Sequence, residues 1–244
     1  MKAFIFAAGL GTRLKPLTDT MPKALVPVAG KPLLEHLILK MKHSGFDDIV
    51  INVHHFADQI IDFLTQKQNF GIRIRISDER QQLLDTGGGI KHAAPLFCTD
   101  EPILVHNVDI FSDVDLAWFY RQHLPEALAT LLVSERQSSR YLLFGEQMQL
   151  MGWTNVQTSA VKTPYEALNL AACQPFAFSG IHVVSPHIFE KMEEWTGAFS
   201  IIDFYLAMAK QERIAGMLQH DLRLIDVGKV DALQQAEQFF TAES

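Results

Sequence analysis

The segment "AAGLGTRLKPLTDTMPKALVPVAG", residues 7–30, continues a short apolar run that begins at Ala3 and ends at Gly9. Such a run is typical of a buried strand in a parallel sheet. Ligands of open α/β sheets bind beyond the carboxyl ends of these strands, where Gly9 and Gly11 lie. Because these residues lack side chains, their backbone N–H groups can approach an anion closely. The segment therefore predicts an anion-binding loop on an α/β fold.

Two common phosphate-binding loops do not match this segment. A dinucleotide fingerprint needs a third glycine where Leu14 stands, and a P-loop needs glycine, lysine and Ser/Thr in succession. What remains is a glycine loop that carries Arg13, with Lys23 ten residues later. A guanidinium and an ammonium group can together neutralise a triphosphate as pyrophosphate leaves. A single lysine of this loop, taken alone, is better explained as a solvated charge, but the whole segment is not.

Apolar patterning predicts alternating strands and helices up to residue 135. Predicted strands lie at 49–53, 72–76, 102–109 and 128–133, and predicted helices at 32–45, 56–64, from near 88, and 113–123. The second part begins with a predicted hairpin, "YLLFGEQMQLMGW", and a loop or lid over 156–174. Strands at 176–184 and 222–228 and helices at 185–192, 201–210 and 231–240 follow. The predicted fold is α/β, with a doubly wound, mostly parallel (Rossmann-like) central sheet and a smaller antiparallel sugar-binding or lid portion.

Composition narrows the function classes. The chain has 244 residues and a net charge of −7, which disfavours a nucleic-acid partner. No apolar stretch approaches the roughly 18 residues of a membrane span, and the N-terminus lacks a signal-peptide pattern. Cys98 and Cys173 show no disulfide or metal spacing, so both are predicted to be free thiols. We expect a cytoplasmic protein without a membrane partner, and a monomer or small homo-oligomer.

The segment from Gly9 to Leu33 closely resembles the signature of the sugar-1-phosphate nucleotidyltransferases, the NDP-sugar pyrophosphorylase family. That signature is G-x-G-T-R, a spacer, and P-K. The resemblance continues in "LLDTGGGI", "LVHNVD", "FSGIHVVSP" and "LIDVG", in the family's order, so it covers nearly the whole chain. "TGGGI" is most similar to short bacterial members, which include sugar-1-phosphate uridylyltransferases. This implies a single domain, 1–244, with a nucleotide-binding part (1–135) and a sugar-binding and metal-completing part (136–244).

The resemblance also implies substrates and site residues. The substrates would be an NTP and a sugar 1-phosphate, and the product an NDP-sugar for cell-envelope polysaccharide. Arg13 and Lys23 would be catalytic, with Arg13 on the departing phosphates and Lys23 between the α-phosphate and the sugar phosphate. The implied nucleotide-binding residues are Ala8, Gly9, Gly11, Thr12, Arg13, Lys23, Asp85, Thr86, Gly87, Gly88 and Asn107.

Asp109 and Asp226 are the predicted ligands of Mg²⁺. Each ends a predicted strand, and in a parallel sheet both would lie at the same rim. Taken alone, Asp109 fits a helix N-cap equally well, and Asp226 fits a turn. The resemblance matches both to the family's metal positions. Val108 stands where the family commonly has a small residue, and Lys229 lies in an unusual segment after Asp226.

The base and sugar sites are predicted from glycines. The run at 87–89 would offer a flat backbone on which a base can lie, although a flexible hinge is the alternative. The uridylyltransferase likeness favours UTP. Ser179 and Gly180 align with the family's sugar-facing strand, and glycine inside a strand often marks close backbone approach. The family's usual E-K-P motif is absent, and Lys162 of "VKTP" is predicted to reach a phosphate in its place.

Three alternatives remain open at this point. The first is a guanylyltransferase acting on mannose or heptose 1-phosphate. The second is a cytidylyltransferase acting on a phosphorylated alcohol such as phosphocholine. The third is a regulatory subunit without activity, although Arg13, Lys23, Asp109 and Asp226 are all present, which disfavours it.

Overall fold

The computed structural model describes residues 1–97 and 100–241. The strands are β1 Lys2–Phe6, β2 Pro27–Val28, β3 Lys31–Pro32, β4 Asp48–Val53, β5 Arg73–Asp78, β6 Ile103–Asn107, β7 Ile110–Ser112, β8 Ala127–Ser134, β9 Arg140–Phe144, β10 Leu150–Asn155, β11 Ala160–Lys162, β12 Gln174–Val184, β13 Arg213–Leu218 and β14 Leu224–Asp226. The helices are α1 Leu33–His43, α2 Ala57–Gln66, α3 Asp85–Ala93, α4 Leu116–Arg121, α5 Ile188–Lys191, α6 Ile201–Met208 and α7 Val230–Thr241.

A mixed sheet organises the described residues. Its order is β11-β10-β9-β12-β6-β1-β4-β5, with β8 also paired to β12 and β13 paired to β8. Strands β6, β1, β4 and β5 are parallel, and the short helical crossovers between them match the predicted β-α alternation. The fold class predicted from the sequence is confirmed.

Strand β12 joins the parallel part to the antiparallel part. It runs antiparallel to β6, to β8 and to β9. Because β12 is antiparallel to both β6 and β8, these two strands point the same way, and their carboxyl ends lie at the same rim. The predicted hairpin is confirmed as β9 and β10, and the predicted lid segment contains the additional strand β11 on β10.

Both faces of the sheet are buried, as a doubly wound fold requires. Successive residues of β1 point to opposite faces: Ala3 and Ile5 pack in the cluster that contains α1 and α2 side chains, and Phe4 packs in the other. The second cluster contains Ile90 of α3 and Phe204 of α6. The apolar run "AFIF" therefore anchors both layers and sets the position of the loop that follows.

Several boundaries differ from the sequence prediction. Strand β13 was not predicted, and the apolar run of its "RIAGML" is interrupted by Gly216. Helix α3 begins at Asp85 and not near Gly88, and Asp109 follows β6 in a turn and does not end it. Cys173 is a free thiol, whereas Cys98 lies outside the described residues. No helix of the described residues is long and apolar enough to cross a membrane.

Buried His182 on β12 makes stability depend on pH. Burial, and then the positive charge of nearby His106, lower the pKa of His182 to about 3. In the unfolded chain its pKa is near 6.5, so at pH 5 the unfolded state binds a proton that the folded state does not. Stability therefore falls as pH decreases through the unfolded pKa, by about 2 kcal/mol for this residue between pH 7 and pH 5. Urea unfolding at pH 7 and pH 5 measures this effect. Between the two pH values, His182→Gln should lose about 2 kcal/mol less unfolding free energy than the wild type. Equal losses in the two proteins would show that His182 is not the residue responsible.

Candidate active site

A cavity of about 630 Å³ opens at the carboxyl ends of β1 and β6. The last residues of these strands, Phe6 and Asn107, both line it. This is the rim where parallel α/β sheets bind ligands. The cavity collects most of the predicted nucleotide-site residues, together with one predicted metal ligand: Ala8, Gly9, Gly11, Thr12, Arg13, Lys23, Asp85, Thr86, Asn107 and Asp109.

Gly11 shapes the loop after β1. Its φ of +64° lies in the left-handed region that favours glycine, and its carbonyl accepts hydrogen bonds from Leu14 N (2.8 Å) and Thr18 Oγ1 (2.9 Å). A Cβ on Gly11 would lie 2.8 Å from Thr18 Cγ2 and 3.0 Å from Lys23 Cβ. The loop therefore folds back tightly enough to bring Lys23 against Gly11.

Lys23 pairs with Asp109 across the cavity wall. Pro22 precedes a short 3-10 turn that holds the lysine at 8% exposure, and Lys23 Nζ donates a hydrogen bond to Asp109 Oδ2. Only 19% of the Asp109 side chain is exposed, so water screens this pair less than a surface pair. The sequence separation of 86 residues means that the tertiary fold creates this contact.

Asp226 lies beside Asp109 because of a strand pairing that the sequence analysis did not predict. The prediction that Asp226 ends a strand of the parallel sheet is wrong, because among the described residues β14 pairs only with β7, in a two-stranded antiparallel ribbon. In that ribbon Asp226 is opposite Ile110, the residue after Asp109, and Val227 N donates to Asp109 O at 2.8 Å. The ribbon therefore brings the two aspartates together.

Gly228 leaves room for two charged groups. A Cβ at this position would lie 2.7 Å from Arg13 Nη2 and 2.8 Å from Asp226 Oδ1. Arg13 and Asp226 thus both pack against the backbone of Gly228, at the end of the cavity where Lys23 meets Asp109. Arg13, Lys23 and Asp109 line the cavity, whereas Asp226 lines the neighbouring crevice that Arg13 and Gly228 also border. Two cations of one loop and two carboxylates from distant segments therefore meet where the cavity and the crevice adjoin.

The neighbouring charges of the site shift the pKa of Asp226. Partial desolvation, followed by the negative charge of Asp109, raises the pKa of Asp226 above its ordinary value, although its side chain keeps one face open to solvent. Three cations act in the opposite direction: Lys23, Arg13 and Arg136. The repulsion between the two carboxylates is what a bound cation would relieve.

The sequence analysis missed the pair Asn52 and Glu79. Both line the cavity and both are 2% exposed. Asn52 Oδ1 accepts from Ala7 N (2.7 Å) and Ala8 N (3.2 Å), while its Nδ2 donates to Glu79 Oε1 (2.7 Å). Burial raises the pKa of Glu79. The pair ties the start of the glycine loop to the rim of β5, and the polar Asn52 inside "IVINV" was the signal that could have revealed it.

The glycine run of α3 does not form an open surface. Gly87 and Gly88 lie inside a helix and are buried, and neither lines the cavity. A Cβ on Gly87 would lie 2.4 Å from the ring of Phe199, and one on Gly88 would lie 2.7 Å from Gly197 O. Gly87 and Gly88 therefore do not present the expected flat backbone, because they permit close packing of the helix against residues 197–199. Their role in nucleotide binding stays a prediction.

The three predicted sugar-site residues also lie apart from the cavity lining. Ser179 is 1% exposed, and its Oγ donates to Leu132 O at 2.6 Å inside the sheet. Gly180, at φ +75°, accommodates the side chain of Asn107, whose Nδ2 would lie 2.7 Å from an added Cβ. Lys162 pairs with Asp203 at 2.7 Å. The close approach expected at Gly180 exists, but it is made by a cavity-lining side chain.

The two departures from the family signature have different surroundings. Val108 is 5% exposed, lines the cavity and donates its N–H to Phe6 O at 3.1 Å. Lys229 is exposed and borders a shallow crevice of about 220 Å³ beside Arg13 and Asp226.

Comparison with known proteins agrees with this geometry. The sequence profile described as Nucleotidyl transferase matches residues 2–243. The chain belongs to the nucleotidyl transferase family. Two similar relatives are the N-acetylmuramate alpha-1-phosphate uridylyltransferases of Caulobacter vibrioides and Neisseria meningitidis serogroup B. The first is 33% identical over 96% of this chain and 95% of its own, and the second 33% identical over 97% of each.

A solved structure has the same fold. The structure of HddC from Yersinia pseudotuberculosis, complexed with GMP-PN, matches with a TM-score of 0.76 over 98% of this chain and 99% of its own, at 22% identity. The resemblance noted from the sequence is therefore confirmed at the level of family and fold.

Proposed function

We propose that the protein transfers a nucleoside monophosphate from an NTP, with UTP favoured, to a sugar 1-phosphate, giving an NDP-sugar and pyrophosphate. The observation that carries this proposal is the meeting of Arg13, Lys23, Asp109 and Asp226 where the cavity adjoins the crevice beside Gly228. The names of the two relatives, both uridylyltransferases, support UTP and point to N-acetylmuramate 1-phosphate as the first acceptor to test.

The reaction requires positioning and charge neutralisation more than covalent catalysis. A phosphate oxygen of the sugar 1-phosphate attacks the α-phosphorus of the NTP, a new P–O bond forms, and the bond to the β-phosphate breaks. Pyrophosphate leaves with that electron pair. The barrier is lowered when the reactants are held in line and the charge on the leaving group is neutralised.

The cations have separate roles in this proposal. Arg13 holds the departing phosphates together with backbone N–H groups of Gly11 and Thr12, which line the same cavity. Lys23 exchanges its bond to Asp109 for the α-phosphate and the attacking phosphate. Because it is nearly buried, its charge acts at lower dielectric than a surface lysine.

The carboxylate pair fits a magnesium ion. Within residues 1–97 and 100–241, no group of three or more His, Cys, Asp or Glu side chains could hold a metal. Mg²⁺ commonly takes one or two carboxylates and completes its shell with waters and substrate phosphates, so Asp109 and Asp226 suffice. When bound, the ion would stabilise charge on the phosphate oxygens. Members of the family generally use a divalent metal, and Mg²⁺ is our specific proposal.

The remaining roles follow the two-part division of the chain. We assign nucleotide binding to residues 1–135, with Asp85 and Thr86 beside the base, and sugar binding and completion of the metal site to residues 136–244. We also propose a cytoplasmic monomer or small homo-oligomer that engages neither nucleic acid nor membrane. The net charge of −7 supports the absence of a nucleic-acid partner.

A substrate panel tests the function directly. The protein is incubated with Mg²⁺, with UTP, GTP, CTP or dTTP, and with N-acetylmuramate 1-phosphate, glucose 1-phosphate, mannose 1-phosphate or phosphocholine, and pyrophosphate release is measured. We expect the highest rate with UTP and a sugar 1-phosphate. A preference for GTP with mannose 1-phosphate, or for CTP with phosphocholine, would establish the corresponding alternative. No release with any pair would contradict the enzymatic proposal and favour a regulatory subunit.

A further inference from the structure

The charge balance of the site suggests that it needs another cation. Among the described residues, only Arg13 and Lys23 bring Lys or Arg charge to the cavity lining, and Asp109 and Asp226 offset both. A bound divalent cation would compensate part of the triphosphate. The acceptor brings a further phosphate with nearly two negative charges at neutral pH. A positively charged side chain beyond these two should therefore bind the acceptor phosphate.

Arg136 lies at the correct rim. It follows the carboxyl end of β8 by two residues, and β8 points the same way as β6 and ends at the same side of the sheet. The side chain is half-buried, and its Nη2 donates to Phe178 O at 2.9 Å. Its charge is among those that act on the Asp226 carboxylate. The guanidinium thus belongs to the electrostatic environment of the site.

Arg136 also has an unused hydrogen-bond donor. Its Nε is buried, and no described residue accepts from it. An unsatisfied buried donor is costly, and the cost is greater on a charged group. A phosphate that reached this guanidinium would satisfy the donor and pair with the charge.

A chain of contacts links Arg136 to the cavity. Phe178, which accepts from the guanidinium, stands two residues before Gly180 on β12, where the pairing register of the strand shifts. Gly180 in turn packs closely against the Asn107 side chain, which lines the cavity. The irregular part of β12 therefore separates Arg136 from the cavity by only a few residues.

The two competing lysines have less suitable surroundings. Lys162 pairs with Asp203 at 2.7 Å and lies 5.5 Å from the centre of the Trp153 ring, and unlike Arg136 it is not among the charges acting on Asp226. Lys229 is exposed beside the shallow crevice, and it is not among the charges acting on Asp226. Neither has an unsatisfied buried donor.

We propose that Arg136 binds the phosphate of the acceptor, the sugar 1-phosphate. The inference rests on the proposed function and names the residue that holds its second substrate. A guanidinium fork fits two phosphate oxygens at once, which suits a group that must orient the attacking phosphate.

The test is a KM comparison with Arg136→Met, using UTP, Mg²⁺ and the sugar 1-phosphate with the highest wild-type rate. We expect the KM for the sugar 1-phosphate to rise roughly 10- to 100-fold, as for loss of a charge-assisted hydrogen bond. The KM for UTP should change less than about twofold, since the triphosphate is held elsewhere. Arg136→Lys, which keeps the charge but not the fork, should lie between. The matched control is Arg121→Met, an exposed arginine at the end of α4, which should match the wild type.

Different results would overturn the assignment of Arg136 and the proposed function. An unchanged sugar-phosphate KM in Arg136→Met, or an equal rise in both KM values, would overturn the assignment. A selective rise in Lys162→Met or Lys229→Met but not in Arg136→Met would also overturn it, in favour of that lysine. If Arg136→Met fails to fold, Arg136→Lys decides by the same criterion. A wild-type protein inactive on every substrate pair would instead overturn the proposed function, and this inference with it.

Discussion

Replacing Lys23 by alanine is expected to lower kcat by roughly two to three orders of magnitude, the usual effect of removing one preorganised group from a transition state. Lys23 is nearly buried, lies against the phosphate loop and pairs with Asp109, so its charge is held at one fixed position that alanine leaves without a cation. The measurement is the steady-state rate of pyrophosphate release at saturating substrates. Urea unfolding should show that Lys23→Ala still folds.

The control for this prediction comes from the same loop. Lys15 is 61% exposed and pairs with Asp19 at 3.1 Å, which is the arrangement of an ordinary surface ion pair. Lys15→Ala should therefore retain wild-type turnover. If Lys23→Ala also retained wild-type turnover, Lys23 would not be the catalytic cation, and its pairing with Asp109 would have only a structural role.

The second large effect is expected from Asp226→Asn, which keeps the shape of the side chain and removes its charge. Loss of one of two carboxylates should weaken metal binding and cost several kcal/mol of charge stabilisation, or at least about a hundredfold in rate. The rate should also require a higher Mg²⁺ concentration for half-maximal activity. A titration of activity against Mg²⁺ measures both effects together.

Asp221→Asn is a suitable comparison for this variant. Asp221 is exposed in a turn at φ +55°, a conformation that asparagine tolerates well, so the substitution should leave both activity and metal dependence unchanged. Full activity of the wild type in excess EDTA would contradict the proposed metal role of Asp226 and Asp109.

Local patterns predicted the fold because each depends on residues close in sequence. The apolar run before Gly9, the helix over "LLEHLILKMKH" and the hairpin of β9 and β10 each carry their own periodicity or turn. Strand β13 was not predicted from the sequence because Gly216 interrupts its apolar pattern. In the structure Gly216 lies against Phe144, whose ring would be 2.6 Å from an added Cβ. That contact with a residue distant in sequence accounts for a glycine at this position.

The site was harder to predict than the fold because its contacts are long-range. Asp109 and Asp226 were paired on the premise of a shared parallel sheet, but the pairing of β7 with β14 brings them together. The glycines of α3 suggested an open backbone, although the packing of Phe199 explains Gly87. Asn52 bonds to Glu79, 27 residues away in sequence, and Lys162 bonds to Asp203, 41 residues away. No local sequence pattern predicts contacts at these separations.

The central claim is that nucleotide phosphates bind between the cation-bearing loop and the two aspartates. A crystal structure with Mg²⁺ and a non-hydrolysable UTP analogue tests it most directly. We predict the triphosphate along Gly9 to Arg13, Lys23 Nζ within hydrogen-bonding distance of the α-phosphate, and the metal on Asp109 and Asp226. A triphosphate bound away from this loop, or a metal that touches neither aspartate, would contradict the account.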